Sequence, residues 1–440
     1  MSRPVVITGI GPITCFGLGI APLWEAMMAG RSGIGAMTRF DAKGFPCRAA
    51  GELAEDAFSI RKIVPKSYRK ATKVMCRDIE LAVGAATMAV ESAGMVTKGT
   101  NPDDEPSYAP GRFGCHIGAG LISADVNELT DALITSQSED GSFDLDHWGG
   151  AGMQNLTPLW LLKYLPNMLA CHVTIVHDCQ GPSNTITCCE ASGMLSLGES
   201  MRIIDRGAAD CCLTGGAEYK LNLMAFYRQW CTGRLAETPE GSDPTAIVKP
   251  FDPEARGTLL GEGGGLLILE AAETATARGA SVLARVSGYG CTQSFCPDTI
   301  GLELDESDES VADALSLALH QAGLEPDAID AIVPFGSGIP SSDRAEAAAI
   351  KSVFGDRAET IPLITTVPFT GNCNAGNGAV ALCTGTQALV TQTLPARLNT
   401  TTAEGLDAAA CDSRSADLKN ILVFTTSQGG QNAAVILSKP

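Results

Sequence analysis

Aromatic and basic side chains are both scarce in this sequence of 440 residues. Phe, Trp and Tyr make up 5% of it, and 31 lysines and arginines face 50 acidic residues, so the formal net charge is −19. Nucleic-acid binding depends largely on electrostatic attraction to a basic protein face. We therefore predict that nucleic acid is not a partner of this protein.

Long apolar runs and regularly spaced cysteine pairs are also missing. No apolar stretch approaches the roughly 20 residues that a membrane helix needs, so we predict no membrane insertion. The 16 cysteines are placed irregularly and include no CxxC pairs spaced for zinc, so we expect no metal site and mostly buried, reduced thiols. The opening residues lack the pattern of a secretory signal. We therefore expect a cytoplasmic protein.

Short β-branched runs alternate with helical stretches, which is typical of an α/β fold. The 45% hydrophobic content and 48 glycines also suit close-packed strands and helices. In the first part of the chain the pattern predicts strands or strand-like runs at 5–10, 113–117, 171–177 and 210–214, and helices at about 68–93 and 191–206.

A second half with a similar element order is predicted after residue 260, although we find no residue-level repeat. Its helix from Ser310 to Ala322 should end at Gly323, a typical C-cap residue. We divide the chain into halves at 1–260 and 261–440. The other elements predicted in the second half are strands at 266–269, 281–290, 331–334, 421–424 and 433–437, and helices at 343–354 and up to about 392.

Five segments in order carry a resemblance to the β-ketoacyl synthases of the thiolase superfamily over nearly the whole chain. The resemblance implies two similar βαβαβ halves stacked as five alternating α-β-α-β-α layers and paired with a second such subunit. The segments are VVITGIG with GRSGIG and RFD (5–41), GPSNTITCCEASG (181–193), GGAE (215–218), PFDPEARGTLLGEGGGLLILE (250–270) and TGNCNAGNGAV (370–380).

Active members of this family attack an acyl thioester with a cysteine at the turn between a strand and a helix, where the helix N-terminus lowers the thiol pKa. The matching position here is Glu190. A carboxylate attacking a thioester would give a readily hydrolysed anhydride, so Glu190 cannot replace the thiolate. Cys189 lies one position earlier and is either an ordinary buried thiol or a hidden nucleophile.

The other functional positions of the family are changed as well. Its two histidines polarise the malonyl group and stabilise the oxyanion, and they correspond here to Phe335 and Asn372. Phenylalanine offers neither donor nor proton, and asparagine can donate a hydrogen bond without exchanging protons. The family's lysine corresponds to Val367. With Glu190, four positions are altered together, and we predict no catalytic residues in this chain.

A flexible loop gates access of the acyl group in active members, and its phenylalanine corresponds here to Gln428. The neighbouring Gly429 and Gly430 are expected to keep a tight turn. The pattern is most similar to the chain-length factors of type II polyketide synthases, which carry glutamine at the nucleophile position and lack the histidines. That resemblance implies two partners, a cysteine-bearing ketosynthase and an acyl carrier protein whose phosphopantetheine delivers the acyl chain, and no cofactor.

The sequence leaves alternatives open for the role of Glu190 and for the function of the whole chain. Glu190 is either a polar plug stabilised at a helix N-terminus by about 0.3–1 kcal/mol, or a group that supports malonyl decarboxylation. The whole chain could accordingly be a decarboxylase or acyltransferase that uses Glu190 or Cys189. It could also be a homodimeric scaffold without catalytic function.

Two further regions are assigned by the resemblance. Residues 121–131 match the segment that lines the acyl tunnel in chain-length factors, which makes Ala124, Val126 and Asn127 candidates for the tunnel wall. A basic run matches part of the landing site for the acidic carrier protein, although a solvated helix face is the simpler interpretation. Its docking candidates are Lys66, Arg69, Lys70 and Lys73.

Overall fold

The computed structural model of the chain describes residues 3–296, 299 and 302–440. Its strands are β1 (Val5–Thr14), β2 (Gly17–Leu18), β3 (Ile34–Ala36), β4 (Ala49–Gly51), β5 (Phe113–Gly118), β6 (Ser183–Ile186), β7 (Cys211–Glu218), β8 (Leu260–Gly261), β9 (Gly263–Ala271), β10 (Ala284–Gln293), β11 (Ala331–Val333), β12 (Thr393–Leu394), β13 (Arg414–Ser415), β14 (Asn420–Thr425) and β15 (Gln431–Ser438).

The α-helices are α1 (Ile20–Met28), α2 (Ile60–Ile63), α3 (Arg77–Ser92), α4 (Val126–Thr135), α5 (Leu145–Gly149), α6 (Met168–His177), α7 (Ser192–Asp205), α8 (Leu223–Cys231), α9 (Ala272–Ala277), α10 (Ser310–Ala322), α11 (Pro340–Phe354), α12 (Val367–Thr370) and α13 (Asn377–Thr391). Within the described ranges, no helix combines the length and apolar character that crossing a bilayer would require.

Most strands belong to one mixed sheet, which contains ten strands among the described residues. Its order is β11-β14-β15-β10-β1-β9-β7-β5-β6, and β2 pairs with β1. The group β11-β14-β15-β10 joins the group β1-β9-β7-β5-β6 where Val5 to Ile7 of β1 pair antiparallel with β10. β5 pairs in parallel with both β6 and β7, and β6 is the terminal strand of the sheet.

Three apolar clusters stack helices on both sides of these strands. Helices α3 and α6 cover one face of the β1-β9-β7-β5 strands, α10 and α11 cover β10, β14 and β15 from the opposite end, and α7 and α13 pack between the two groups of strands. Burial of apolar side chains on both faces of each sheet region is the main stabilising contribution. The resulting α-β-α-β-α arrangement confirms the predicted thiolase-like fold.

Three elements differ from the sequence prediction. The run at 171–177 is part of helix α6, because Leu169, Val173 and Val176 recur at the helical period and are buried on one face. Helix α3 begins only at Arg77, after short 3-10 turns at Lys66–Tyr68 and Ala71–Val74. Strand β9, expected to open the second half, lies between β1 and β7. The division of the chain at residue 260 stays a prediction.

Strand β1 and helix α3 approach each other so closely that only glycine fits at one contact. A Cβ atom on Gly11 would overlap the carbonyl oxygen of Ala85 and the amide nitrogen of Ala89. Backbone atoms cannot move aside as the end of a flexible side chain can. The position of α3 against the sheet therefore depends on the missing side chain.

We predict that Gly11→Ala lowers the free energy of unfolding by about 1–3 kcal/mol, because the added methyl group overpacks the contact with α3. Urea denaturation followed by circular dichroism measures the change. Gly35→Ala in β3 is the matched control, since a Cβ there meets no atom within 4 Å. Equal stability of the two variants would contradict the predicted close approach.

Candidate functional site

The candidate site lies at the turn that joins strand β6 to helix α7. A 3-10 turn at Cys189–Ala191 connects them, and Cys189 adopts a φ of 45°, in the left-handed region that non-glycine residues rarely occupy. Ser192 stabilises the turn, because its hydroxyl accepts the Cys188 N–H at 2.8 Å and donates to the Cys189 carbonyl at 2.7 Å. This geometry places Glu190 inside the protein with no exposed surface.

The Glu190 carboxylate has polar partners on both oxygens. Oε1 lies 2.9 Å from Nη1 of Arg234 and accepts a hydrogen bond from Nδ2 of Asn372 at 3.1 Å. Oε2 accepts the backbone N–H of Gln428 at 3.0 Å. Burial alone would raise the pKa of Glu190, but the Arg234 charge and these hydrogen bonds outweigh it and lower the pKa. Glu190 is therefore an ionised, fully engaged carboxylate.

Arg234 was not found by sequence reasoning. It follows helix α8, is buried, and its Nη1 also donates to the side-chain Oε1 of Gln428 at 3.2 Å. A buried carboxylate requires a nearby cation, so Glu190 itself signals that one exists. The spacing along the chain gives no way to select Arg234 among the other basic residues.

The two positions that the sequence resemblance assigns to the family's first histidine and its lysine are both apolar and share one cluster. Phe335 and Val367 are fully buried there, together with Phe226 and Leu260 among others. Neither side chain can transfer a proton or stabilise an oxyanion. The third changed position, Asn372, keeps a polar role, since it donates to Glu190 and its Oδ1 accepts the N–H of Asn374 at 2.8 Å.

Two buried carboxyl groups hold the turn that follows Phe335. Asp343 accepts the N–H groups of Phe251, Ser337 and Gly338. Glu346 accepts the N–H of Gly336 at 3.1 Å and the hydroxyl of Thr426 at 2.8 Å. Burial, with a smaller contribution from the neighbouring Asp343, raises the pKa of Glu346 to about 8. Glu346 therefore keeps its proton at neutral pH.

Cys189 faces a cavity of about 410 Å³, whose wall also includes Glu218, Lys220 and Gln428. Glu218 and Lys220 form a buried ion pair there. Burial raises the pKa of the Cys189 thiol to about 12, and the carboxylates of Glu190 and Glu218 contribute to the increase. The thiol is thus protonated at neutral pH, in contrast to a catalytic cysteine. Across the described parts of the chain, no cluster of His, Cys, Asp and Glu could hold a metal ion.

The segment Ser427–Gly430, here named the glycine loop, closes over the turn. Gly429 and Gly430 have φ values of 98° and 86°, which favour glycine. The loop is bonded to strand β10 and the residue after it: Nε2 of Gln293 donates to the Gly429 carbonyl and the Ser294 N–H donates to the Gly430 carbonyl, both at 2.7 Å. On its other side the loop is bonded to Glu190 and Arg234 through Gln428.

Two of the three candidates for the tunnel wall line a cavity, and the third does not. Val126 and Asn127, at the start of α4, line a second cavity of about 470 Å³ together with Tyr164 and Tyr219. Ala124 is half-buried beside this cavity and does not line it. These aromatic side chains enter from elements outside the segment 121–131, so a sequence search restricted to that segment could not find them.

The docking candidates form an exposed basic surface. The side chains of Lys66, Arg69, Lys70 and Lys73 are exposed, and among the described residues they make no ion pair with an acidic group. Arg77, at the end of the same run, differs, since it is half-buried and lies 2.7 Å from Glu262 and 3.3 Å from Glu80. It therefore stabilises the interior.

Comparisons with known proteins identify relatives of the chain and support its fold. Models of the β-ketoacyl synthase N-terminal and C-terminal domains match residues 2–275 and 283–401. A 3-oxoacyl-[acyl-carrier-protein] synthase 2 of Synechocystis is 30% identical over 399 residues, which cover 90% of this chain and 88% of the relative. Two solved structures are aligned over the full length of both chains: a β-ketoacyl synthase from Burkholderia phymatum, with 25% identity and a TM-score of 0.85, and the ishigamide ketosynthase/chain length factor, with 27% identity and a TM-score of 0.81.

We predict that Glu346→Gln becomes more stable relative to the natural chain as the pH rises from 4.5 to about 8. Over this range the unfolded chain ionises Glu346 while the folded chain keeps it protonated, so the natural chain loses stability with rising pH and the amide does not. The difference should grow by at most about 1.4 kcal/mol per pH unit.

Urea denaturation at several pH values measures this difference. Glu359→Gln, the same substitution at an exposed position, is the control with which the profile is compared. A flat profile for Glu346→Gln would show that the buried carboxyl group is ionised in the folded protein.

Proposed function

Because the chain belongs to the β-ketoacyl synthase family, we propose that it is the non-condensing partner subunit of a ketosynthase heterodimer, with the role of a chain-length factor. The observation that carries the proposal is the state of Glu190 at the nucleophile position. The carboxylate is buried, ionised and bonded to Arg234, Asn372 and the Gln428 N–H. Covalent acyl transfer requires a free, activated nucleophile.

The neighbouring residues argue against catalysis by this chain alone. Cys189 holds its proton at neutral pH, and Phe335 and Val367 supply no polar group where the family has a histidine and a lysine. Asn372 donates one of its amide N–H groups to Glu190, and an amide cannot exchange a proton as a histidine does. These features favour the partner subunit over a decarboxylase or acyltransferase that uses Glu190 or Cys189.

The surface near the site supports a second subunit. Among the residues that the structure describes, no strand lies beside the outer edge of β6, and Ser183 and Asn184 on this strand are exposed. Apolar side chains on the elements around the site are also exposed. Among them, Leu121 after β5 is 65% exposed and Tyr227 on α8 is 53% exposed. Unpaired edges and apolar surface favour association. A cysteine-bearing ketosynthase would supply the chemistry that this chain lacks.

An acyl carrier protein completes the proposed assembly. Synthases of this family have no cofactor of their own, and the phosphopantetheine of the carrier protein holds the acyl group. The exposed lysines and arginines from Lys66 to Lys73 suit an acidic carrier, and the cavity lined by Val126 and Asn127 suits a role in bounding the acyl chain. The role of the chain would then be to shape the space in which the partner elongates its product.

We expect the purified chain to remain unmodified when it is incubated with acyl- or malonyl-carrier protein, and to release no carbon dioxide. Intact-mass spectrometry and radiolabelled malonyl groups measure these outcomes, with a cysteine-bearing ketosynthase as the positive control. Covalent acylation or steady decarboxylation by the chain alone would contradict the proposal.

Co-expression with the ketosynthase should give a one-to-one complex by size exclusion and native mass spectrometry. If only a homodimer of this chain forms, the result would favour the homodimeric scaffold.

We predict that the triple charge reversal K66E/R69E/K70E weakens binding of the carrier protein to the complex by about tenfold or more, since steering by unpaired surface charges is lost. Surface plasmon resonance at several salt concentrations measures the effect, and rising salt should weaken binding of the natural complex. K351E/K419E/K439E is the matched control, because these three lysines are also exposed. Equal affinity of both triple variants would assign the basic run to an ordinary solvated surface.

A further inference from the structure

The glycine loop is bonded on both sides, and one of these attachments depends on the residue that replaces the nucleophile. Gln293 and Ser294 hold the loop from the side of β10. On the opposite side the backbone N–H of Gln428 bonds to Glu190, and the Gln428 side chain accepts a hydrogen bond from Arg234. Both groups of the ion pair therefore contact the same residue of the loop.

We propose that Glu190 and Arg234 form a latch that holds the glycine loop closed over the turn between β6 and α7. The latch closes the route by which an acyl group would pass the loop to reach this turn. The cavity beside Cys189 then remains accessible from the face formed by α8 and the segment after β5. This inference rests on the proposed function, because it explains how a non-condensing subunit keeps its own site shut.

The chemistry of the latch requires a carboxylate. Oε1 of Glu190 is occupied by Arg234 and Asn372, and Oε2 is the acceptor for the Gln428 N–H. A glutamine at this position offers one acceptor oxygen, and its amide nitrogen would point a donor at another donor. Hydrogen bonds to a charged group in a buried site are also stronger than neutral ones. Glutamate therefore holds the loop in a way that glutamine cannot.

The walls of the cavity agree with access from one side. Gln428 of the latched loop forms part of the wall, and Leu121 and Arg228, which also line the cavity, are exposed to solvent. An acyl chain offered by a partner on the face of α8 would meet this opening without displacing the loop. Closing one route while leaving the other open suits a subunit that acts on a chain attached elsewhere.

Hydrogen–deuterium exchange with mass spectrometry on the full chain tests the latch. We expect the amide of Gln428 to be protected in the natural chain, and to exchange about tenfold faster or more in Glu190→Gln, since the loop can then open locally. Glu359→Gln, which removes the same charge from an exposed position, is the control and should leave the loop unchanged. Exchange of strand β9 should stay the same in all three proteins.

Arg234→Lys is a second variant, which keeps the positive charge if Glu190→Gln does not fold. Nη1 of Arg234 contacts both Glu190 and Gln428. The lysine side chain ends one bond short of that position, on a flexible stem, so the loop should again exchange faster. Unchanged protection of Gln428 in a folded variant, or rapid exchange in the natural chain, would overturn the latch. Because the measurement uses the chain alone, it is independent of whether a ketosynthase partner binds.

Discussion

The buried ion pair between Glu190 and Arg234 is the constraint on which the rest of the site depends. A charge without solvent is costly unless an opposite charge and hydrogen bonds compensate it. Here the compensation comes from the segment after α8, from the segment before α13 and from the glycine loop, through Arg234, Asn372 and Gln428. One carboxylate thereby fixes the relative positions of three separate parts of the chain.

The apolar core around the ion pair is consistent with a site that lacks polar reacting groups. Phe335 and Val367 fill a single apolar cluster with Phe226, at two positions where a catalytic site would need polar side chains. Apolar packing there adds stability. The carboxyl groups of Asp343 and Glu346 still hold the turn behind Phe335. The scaffold of the family is thus retained, and Phe335 and Val367 fill this part of the interior with apolar side chains.

Sequence reasoning predicted the overall fold because the motifs and the alternation of strands and helices are local properties of the chain. It failed where the pattern was ambiguous: the short apolar run at 171–177 suits either a strand or a helix, and its position against α3 decides for the helix. Asn372 was predicted as a hydrogen-bond donor, and it does donate to Glu190. Arg234 and the contact of Gln428 with Glu190 depend on folding and leave no local signal in the sequence.

The unpaired edge of β6 has a consequence for how the protein is made. Exposed N–H and C=O groups on a terminal strand, with Ser183 and Asn184 facing solvent, are a template on which another strand can form hydrogen bonds. Copies of the chain whose β6 edge stays uncovered would be prone to aggregation or degradation. If the proposed partner subunit covers this edge, balanced synthesis of the two subunits, or assembly during translation, would determine how much of this chain survives in the cell.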